Sequence, residues 1–178
     1  MSRWLVSLLF LGWIPAEART PLSPENPFTV PSQQPTVLIF TTFDCPVANK
    51  MVPEIRRIAK TYANRANLTL VYADPQTTQK ELDTHRREYE LTHLPFILDR
   101  QHQLVKAAGA KVTPEAVIVK HGKILYRGRI NNFYEDFGKP RRVITQHDLR
   151  LALDAVLADQ PVPAPGGKCI GCFIPNLE

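Results

Sequence analysis

Apolar positions divide the chain into segments before anything is counted. A run from Trp4 to Ile14 follows Arg3 and stops at Pro15-Ala16-Glu17-Ala18. Residues 19–35 carry Pro21, Pro24, Pro27, Pro31 and Pro35 and predict an extended lead-in. Val37-Leu38-Ile39-Phe40 is a continuous apolar run with β-branched content, which predicts a buried strand. Pro46 suits the first position of a helix, and Val47, Met51, Ile55, Ile58 and Tyr62 then recur at helical spacing. Pro53 lies inside that helix, leaves Asn49 without its backbone donor, and predicts a kink. Leu68 to Tyr72 is a second strand, Thr78 with Glu81 caps a charged helix reaching about Tyr89, and Phe96-Ile97-Leu98 is a third strand. Leu104 to Ala108 is a brief helix stopped by Gly109. Ala116–Val119 and Ile124–Arg127 pair through His121-Gly122-Lys123 as an antiparallel hairpin. Thr145 with Asp148 predicts the cap of a last helix, whose buried stripe is Leu149, Ala152, Leu153, Val156 and Leu157.

The order β-α-β-α-β, then a hairpin and a terminal helix, implies an α/β fold: a central mixed β-sheet with helices on both faces. One domain over residues 36–158 is expected, followed over 159–178 by a Pro/Gly linker and a cysteine-containing tail. No internal repeat is present.

Composition narrows the class. With 178 residues, 44% hydrophobic and 22% charged, the chain is globular, which excludes disorder, collagen and coiled coil. The net charge of +5 is evenly spread, and the small cluster Lys139-Pro140-Arg141-Arg142 lacks interleaved aromatics, so nucleic acid is not implied. The opening segment has the basic start, short apolar centre and Ala-x-Ala site of a secretory signal peptide over residues 1–18. Its apolar run is too short to span a bilayer, so no stable membrane insertion is expected after cleavage. Export to a periplasmic or extracellular space follows, where disulfides persist. Three cysteines are an odd number, so at least one thiol is free or intermolecular.

Cys45 stands where the first strand hands over to a helix. Unpaired N–H groups and the helix dipole favour a thiolate there, while the adjacent Asp44 disfavours one. A thiolate is the nucleophile in peroxide reduction and in disulfide exchange alike.

Phe40-Thr-Thr-Phe-Asp-Cys45-Pro-Val-Ala48, with Pro53 eight residues after the cysteine, resembles the active-site strand, turn and helix of thioredoxin-like proteins. Val112-Thr113-Pro114 looks like the loop that bears their cis-proline. Gly122-Lys123, Tyr126-Arg-Gly-Arg-Ile130, His147-Asp-Leu149 and Ala152-Leu-Asp-Ala155 are similar to the exported redoxin branch of the alkyl hydroperoxide reductase/thiol-specific antioxidant superfamily. That branch tends to end in a Gly-Cys-x-Ile tail, matched by Gly171-Cys172-Phe173-Ile174. The resemblance implies a three-layer thioredoxin-like fold and a groove shaped by Pro46, Thr113 and Pro114. It implies a hydroperoxide or protein disulfide as substrate, an external thiol as electron donor, and no organic cofactor.

Two departures bear on mechanism. Ala48 replaces the second cysteine of the thioredoxin Cys-x-x-Cys, so Cys45 needs a partner from elsewhere. Peroxiredoxins place a Pro seven and a Thr three residues before their cysteine; here Thr42 is present but Leu38 replaces the Pro. Arg127 or Arg129 is the candidate for the arginine that peroxiredoxins hold near the thiolate. Cys169 and Cys172 allow three readings: Cys172 resolves Cys45 with Cys169 as relay, the two tail thiols pair with each other, or they bind a metal, for which two ligands are too few. A stretched linker reaches about 40 Å, enough for the first. An alternative function is a non-catalytic binding module or a copper carrier. Copper carriers of this fold normally use Cys-x-x-x-Cys, and Asn49 stands at that second position.

Overall fold

The computed structural model describes residues 26–29 and 32–177; the predicted signal peptide and most of the Pro-rich lead-in lie outside them. The chain runs through β1 (Thr36–Thr41), α1 (Pro46–Tyr62), β2 (Asn67–Tyr72), α2 (Gln79–Glu88), β3 (Phe96–Leu98) and α3 (Gln103–Ala108). It continues through β4 (Val112–Thr113), β5 (Glu115–Lys120), β6 (Lys123–Gly128), β7 (Tyr134–Asp136), β8 (Lys139–Pro140), α4 (Asp148–Leu157) and β9 (Cys172–Phe173).

The main sheet has the order β3-β2-β1-β5-β6. β1 pairs in parallel with β2, and β2 with β3, while β5 runs antiparallel to both β1 and β6, so the sheet is mixed as expected. Alternation along β1 sends Val37 and Ile39 to one face and Leu38 and Phe40 to the other. The first pair joins Met51, Ile55 and Ile58 of α1 and Leu149 and Leu153 of α4; the second joins Leu104 and Val105 of α3. Helices therefore cover both faces, and β1 is sealed between them.

Local signals explain most boundaries. Thr78 and Glu81 form a reciprocal capping box, Gly109 ends α3 with φ 67°, and His121 and Gly122 both take positive φ in the hairpin turn. α1 runs uninterrupted through Pro53. The predicted cap of α4 is wrong. Its N-cap is His147, without a side-chain bond, because Asn132 engages both the hydroxyl and the N–H of Thr145 while Asp148 turns to Arg129.

The tail is folded against the domain. β9 pairs antiparallel with β4 in the register Thr113↔Cys172 and Val112↔Phe173, apart from the main sheet. Ile174 enters the α3-side core, and its N–H donates to the Lys111 carbonyl at 3.1 Å. Upstream, Gly166 N–H donates to Asp148 Oδ1 at 2.7 Å, tying the linker to the start of α4. Among the described residues no helix is long and apolar enough to cross a membrane.

Candidate active site

β1 ends beside the first turn of α1, and Cys45 is the N-cap residue of that helix. Its sulfur accepts the Ala48 N–H at 3.4 Å, so the position of the missing second cysteine contributes a backbone donor instead. On the other side, the Thr113 carbonyl lies 3.1 Å from the same sulfur. The Thr113–Pro114 peptide is cis. Thr113 is fully buried, and its hydroxyl has no hydrogen-bond partner among the described residues.

The third neighbour comes from the tail. Cys172 Sγ lies 2.6 Å from Cys45 Sγ across a separation of 127 residues, both cysteines being free thiols. Cys45 is only 1% exposed, packed with Val47 and Ala48 beneath Tyr134 and Cys172. Burial pushes the Cys172 thiol up to about 12, and its contact with Cys45 and the charges of Cys45 and Asp44 push the same way. Cys172 therefore holds its proton while both sulfurs are reduced.

The remaining candidates are dispersed. Cys169 is not among the hydrogen-bond partners of Cys45; burial, aided by Glu115 and Asp148 and opposed by Arg127 and Arg129, pushes its thiol up to about 12. Pro46 is exposed at the mouth of the turn, whereas Pro114 is buried. Thr42 is buried, yet its hydroxyl makes no bond to the sulfur, since the three partners of Cys45 are Ala48, Thr113 and Cys172. Arg127 donates to the Gly109 carbonyl at 3.0 Å and faces Glu115 at 3.6 Å, so its guanidinium is engaged at the end of α3. Arg129 is bound to Asp148 at 2.8 Å and to Gln146, on the side where the linker passes.

Two features escape sequence reading. Tyr134 shields Cys45 from a short strand with no periodic signal. Asn49 Nδ2 donates to the Phe43 carbonyl at 2.9 Å, holding the turn that carries the cysteine, and its Oδ1 faces His85 Nε2 at 2.9 Å. His85 Nδ1 in turn meets the Tyr72 hydroxyl at 2.9 Å. The set is satisfied in one direction: Tyr72 O–H donates to Nδ1, Nε2–H to Asn49, and Asn49 to Phe43. Among the described residues no group of three or more His, Cys, Asp or Glu is placed to hold a metal ion. A cavity of about 830 Å³ between α1, the start of β2 and residues 93–95 lies at the other end of the sheet and contains none of the thiols.

A thioredoxin-like family model matches residues 33–124. No curated protein matches the chain. Among solved structures, an uncharacterized conserved protein from Geobacillus kaustophilus is 25% identical, with a TM-score of 0.68 over 82% of this chain and 78% of its own. A hypothetical protein from Sinorhizobium meliloti 1021 is 22% identical, with a TM-score of 0.66 over 80% of this chain and 79% of its own. A thioredoxin-like protein solved in its oxidized form is 17% identical, with a TM-score of 0.52 over 78% of this chain and 88% of its own. These likenesses show that the neighbours share this fold. The chain belongs to the thioredoxin-like family.

Proposed function

We propose that this protein is an exported thiol–disulfide oxidoreductase in which Cys45 is the nucleophile and Cys172 the resolving thiol. The observation that carries the reading is the 2.6 Å approach of two free thiols from opposite ends of the domain. A disulfide bond needs about 2.05 Å, so little movement separates the dithiol from the oxidised pair. Disulfide exchange is favoured over peroxide reduction because neither the Thr42 hydroxyl nor the Arg127 guanidinium reaches the sulfur to bind a peroxide. The copper alternative is not favoured, because the Asn49 amide is engaged by Phe43 and His85. Export rests on the pattern of residues 1–18.

In the reductive direction, the Cys45 thiolate attacks one sulfur of a substrate disulfide. The substrate S–S bond breaks and its other sulfur leaves as a thiolate. The mixed disulfide on Cys45 carries no charge, so the contact and charge that opposed ionisation of Cys172 vanish and only burial and Asp44 continue to oppose it. The departing thiolate, with an ordinary pKa near 8.5, takes the Cys172 proton. Cys172 then attacks the Cys45 sulfur and expels the second substrate thiolate. Two electrons have passed to the substrate, and an external dithiol reduces the Cys45–Cys172 bond to restore the start. Cys169, half-buried and protonated, is a slow nucleophile, so relay to a Cys169–Cys172 bond belongs to a released tail.

The test uses a small disulfide that carries no peptide, such as bis(2-hydroxyethyl) disulfide, and peptide mass mapping without reductant. The parent should form a Cys45–Cys172 link, and Cys172→Ser should accumulate a mixed disulfide on Cys45. Cys45→Ser should lose turnover. Modification of Cys169 or Cys172 with Cys45 left reduced would overturn the assignment.

A further inference from the structure

Resting on that reading, we propose that the edge of β4 beside Pro114 is a peptide-binding site whose resident occupant is the chain's own tail, and that it accepts a cysteine only in an extended segment with glycine immediately before it. Three observations carry this. β9 lies on Val112–Thr113 as an antiparallel strand, and the Ile174 N–H to Lys111 carbonyl bond continues the pairing. Alternation along this strand turns Cys172 inward to the sulfur and leaves Phe173 84% exposed. Between Met51, Pro114 and Tyr134 on one side and Lys168 and Ile170 on the other, only about 20 Å³ remains empty. The groove beside Pro114 is filled.

Gly171 sets the specificity. A Cβ on this residue would fall inside the van der Waals shell of the Thr113 carbonyl oxygen, 2.7 Å from the carbonyl carbon and 3.2 Å from Pro114 N. All three atoms are backbone, so no side-chain movement relieves the clash. Main-chain pairing supplies affinity and the crowded position supplies selectivity, the logic of strand addition to an exposed edge. Because the tail covers Cys45, a foreign peptide must displace it first, and the tethered strand competes at the high effective concentration of an intramolecular ligand.

The experiment reads access and not electron transfer, so it stands or falls separately from the oxidoreductase assignment. Fully reduced parent, Gly171→Ala and Ile174→Ala proteins are alkylated with iodoacetamide, and the rate at Cys45 is followed by peptide mass mapping. Gly171→Ala removes the fit at the edge and Ile174→Ala removes the apolar anchor, so each should speed alkylation of Cys45 by about tenfold or more. Circular dichroism establishes that each variant is folded, and the second variant decides if the first is not. A synthetic copy of residues 168–177 with serine for both cysteines, added to Gly171→Ala, should restore protection; the same peptide with alanine for its glycine should not. Parental rates in both variants, or equal protection by the two peptides, would overturn the proposal.

Discussion

His85 offers a test of how the cysteine-bearing turn is held. It is 3% exposed, hydrogen-bonded through both ring nitrogens, and stacked at 4.7 Å on Tyr89. Burial lowers its pKa from 6.5 to about 4. At pH 7.5 both the folded and the unfolded chain leave this ring almost entirely neutral. As pH falls below 6.5 the unfolded chain binds a proton that the native state refuses, so stability declines until the folded pKa is reached. At about 1.36 kcal/mol per unit the full loss is about 3 kcal/mol, of which about 2.5 kcal/mol is gone by pH 4.5. His85→Gln cannot titrate and sacrifices about 1 kcal/mol of hydrogen bonding at neutral pH. The parent should therefore be the more stable protein at pH 7.5, the two should cross near pH 6, and the variant should lead at pH 4.5. Urea unfolding at these pH values measures it. Acidic groups common to both proteins, Glu54 included, cancel in the difference. A stability gap that stays constant within about 0.5 kcal/mol from pH 7.5 to 4.5 would refute the reasoning.

Two further outcomes concern groups placed away from the sulfur. Glu54 is 5% exposed on α1 and receives Arg150 of α4 at 2.6 Å and Arg57 at 2.9 Å. Burial alone would raise its carboxyl, but the two arginines outweigh it and hold the group below its ordinary range. Glu54→Ala should cost about 2 kcal/mol in urea unfolding, less than a fully buried pair because Arg150 stays partly in water. That deficit should narrow as pH falls through the carboxylate range. Arg127→Ala should lower stability by about 1 kcal/mol by uncapping α3 while leaving the reaction of Cys45 with a small disulfide within about twofold. A tenfold fall would return Arg127 to the active site.

The elements were legible because burial imposes a period. β1 reads as a strand from four apolar residues in a row, and α1 from one apolar face beginning at a proline. Cys45 was legible for the same reason, since its place depends only on where β1 stops and α1 starts. The α4 cap was misread because Asn132, thirteen residues before Thr145, competes for the capping hydroxyl, and a local motif cannot register that. His85 sits in a charged helix whose pattern suggests solvent; its polar partners are Tyr72, 13 residues before it, and Asn49, 36 residues away. The tail has no period at all. Cys172 was legible as a candidate partner for Cys45 by chemistry and reach, but its register on Thr113 depends on Gly171, where any side chain would strike the Thr113 backbone.

Placing the second thiol 127 residues from the first, and not three, changes the energetics of the oxidised state. In the chain-entropy account, a cross-link closing a loop of this size removes about 5 kcal/mol of freedom from the unfolded chain, against about 2 kcal/mol for a Cys-x-x-Cys. Linkage makes the relation reciprocal: whatever the bond adds to folding, folding adds to the bond. At about 30 mV per 1.4 kcal/mol, the native fold should draw the couple toward the disulfide by about 100 mV relative to the unfolded chain. A dithiol so poised gives up electrons readily, which suits reduction of a substrate disulfide better than its formation. Urea unfolding of the fully reduced and the Cys45–Cys172 oxidised protein should differ by several kcal/mol in favour of the oxidised form, and equilibration with a glutathione buffer should give a correspondingly low potential. Midpoints that coincide would mean that strain in the oxidised native state offsets the constraint, and the reductase direction would lose its thermodynamic basis.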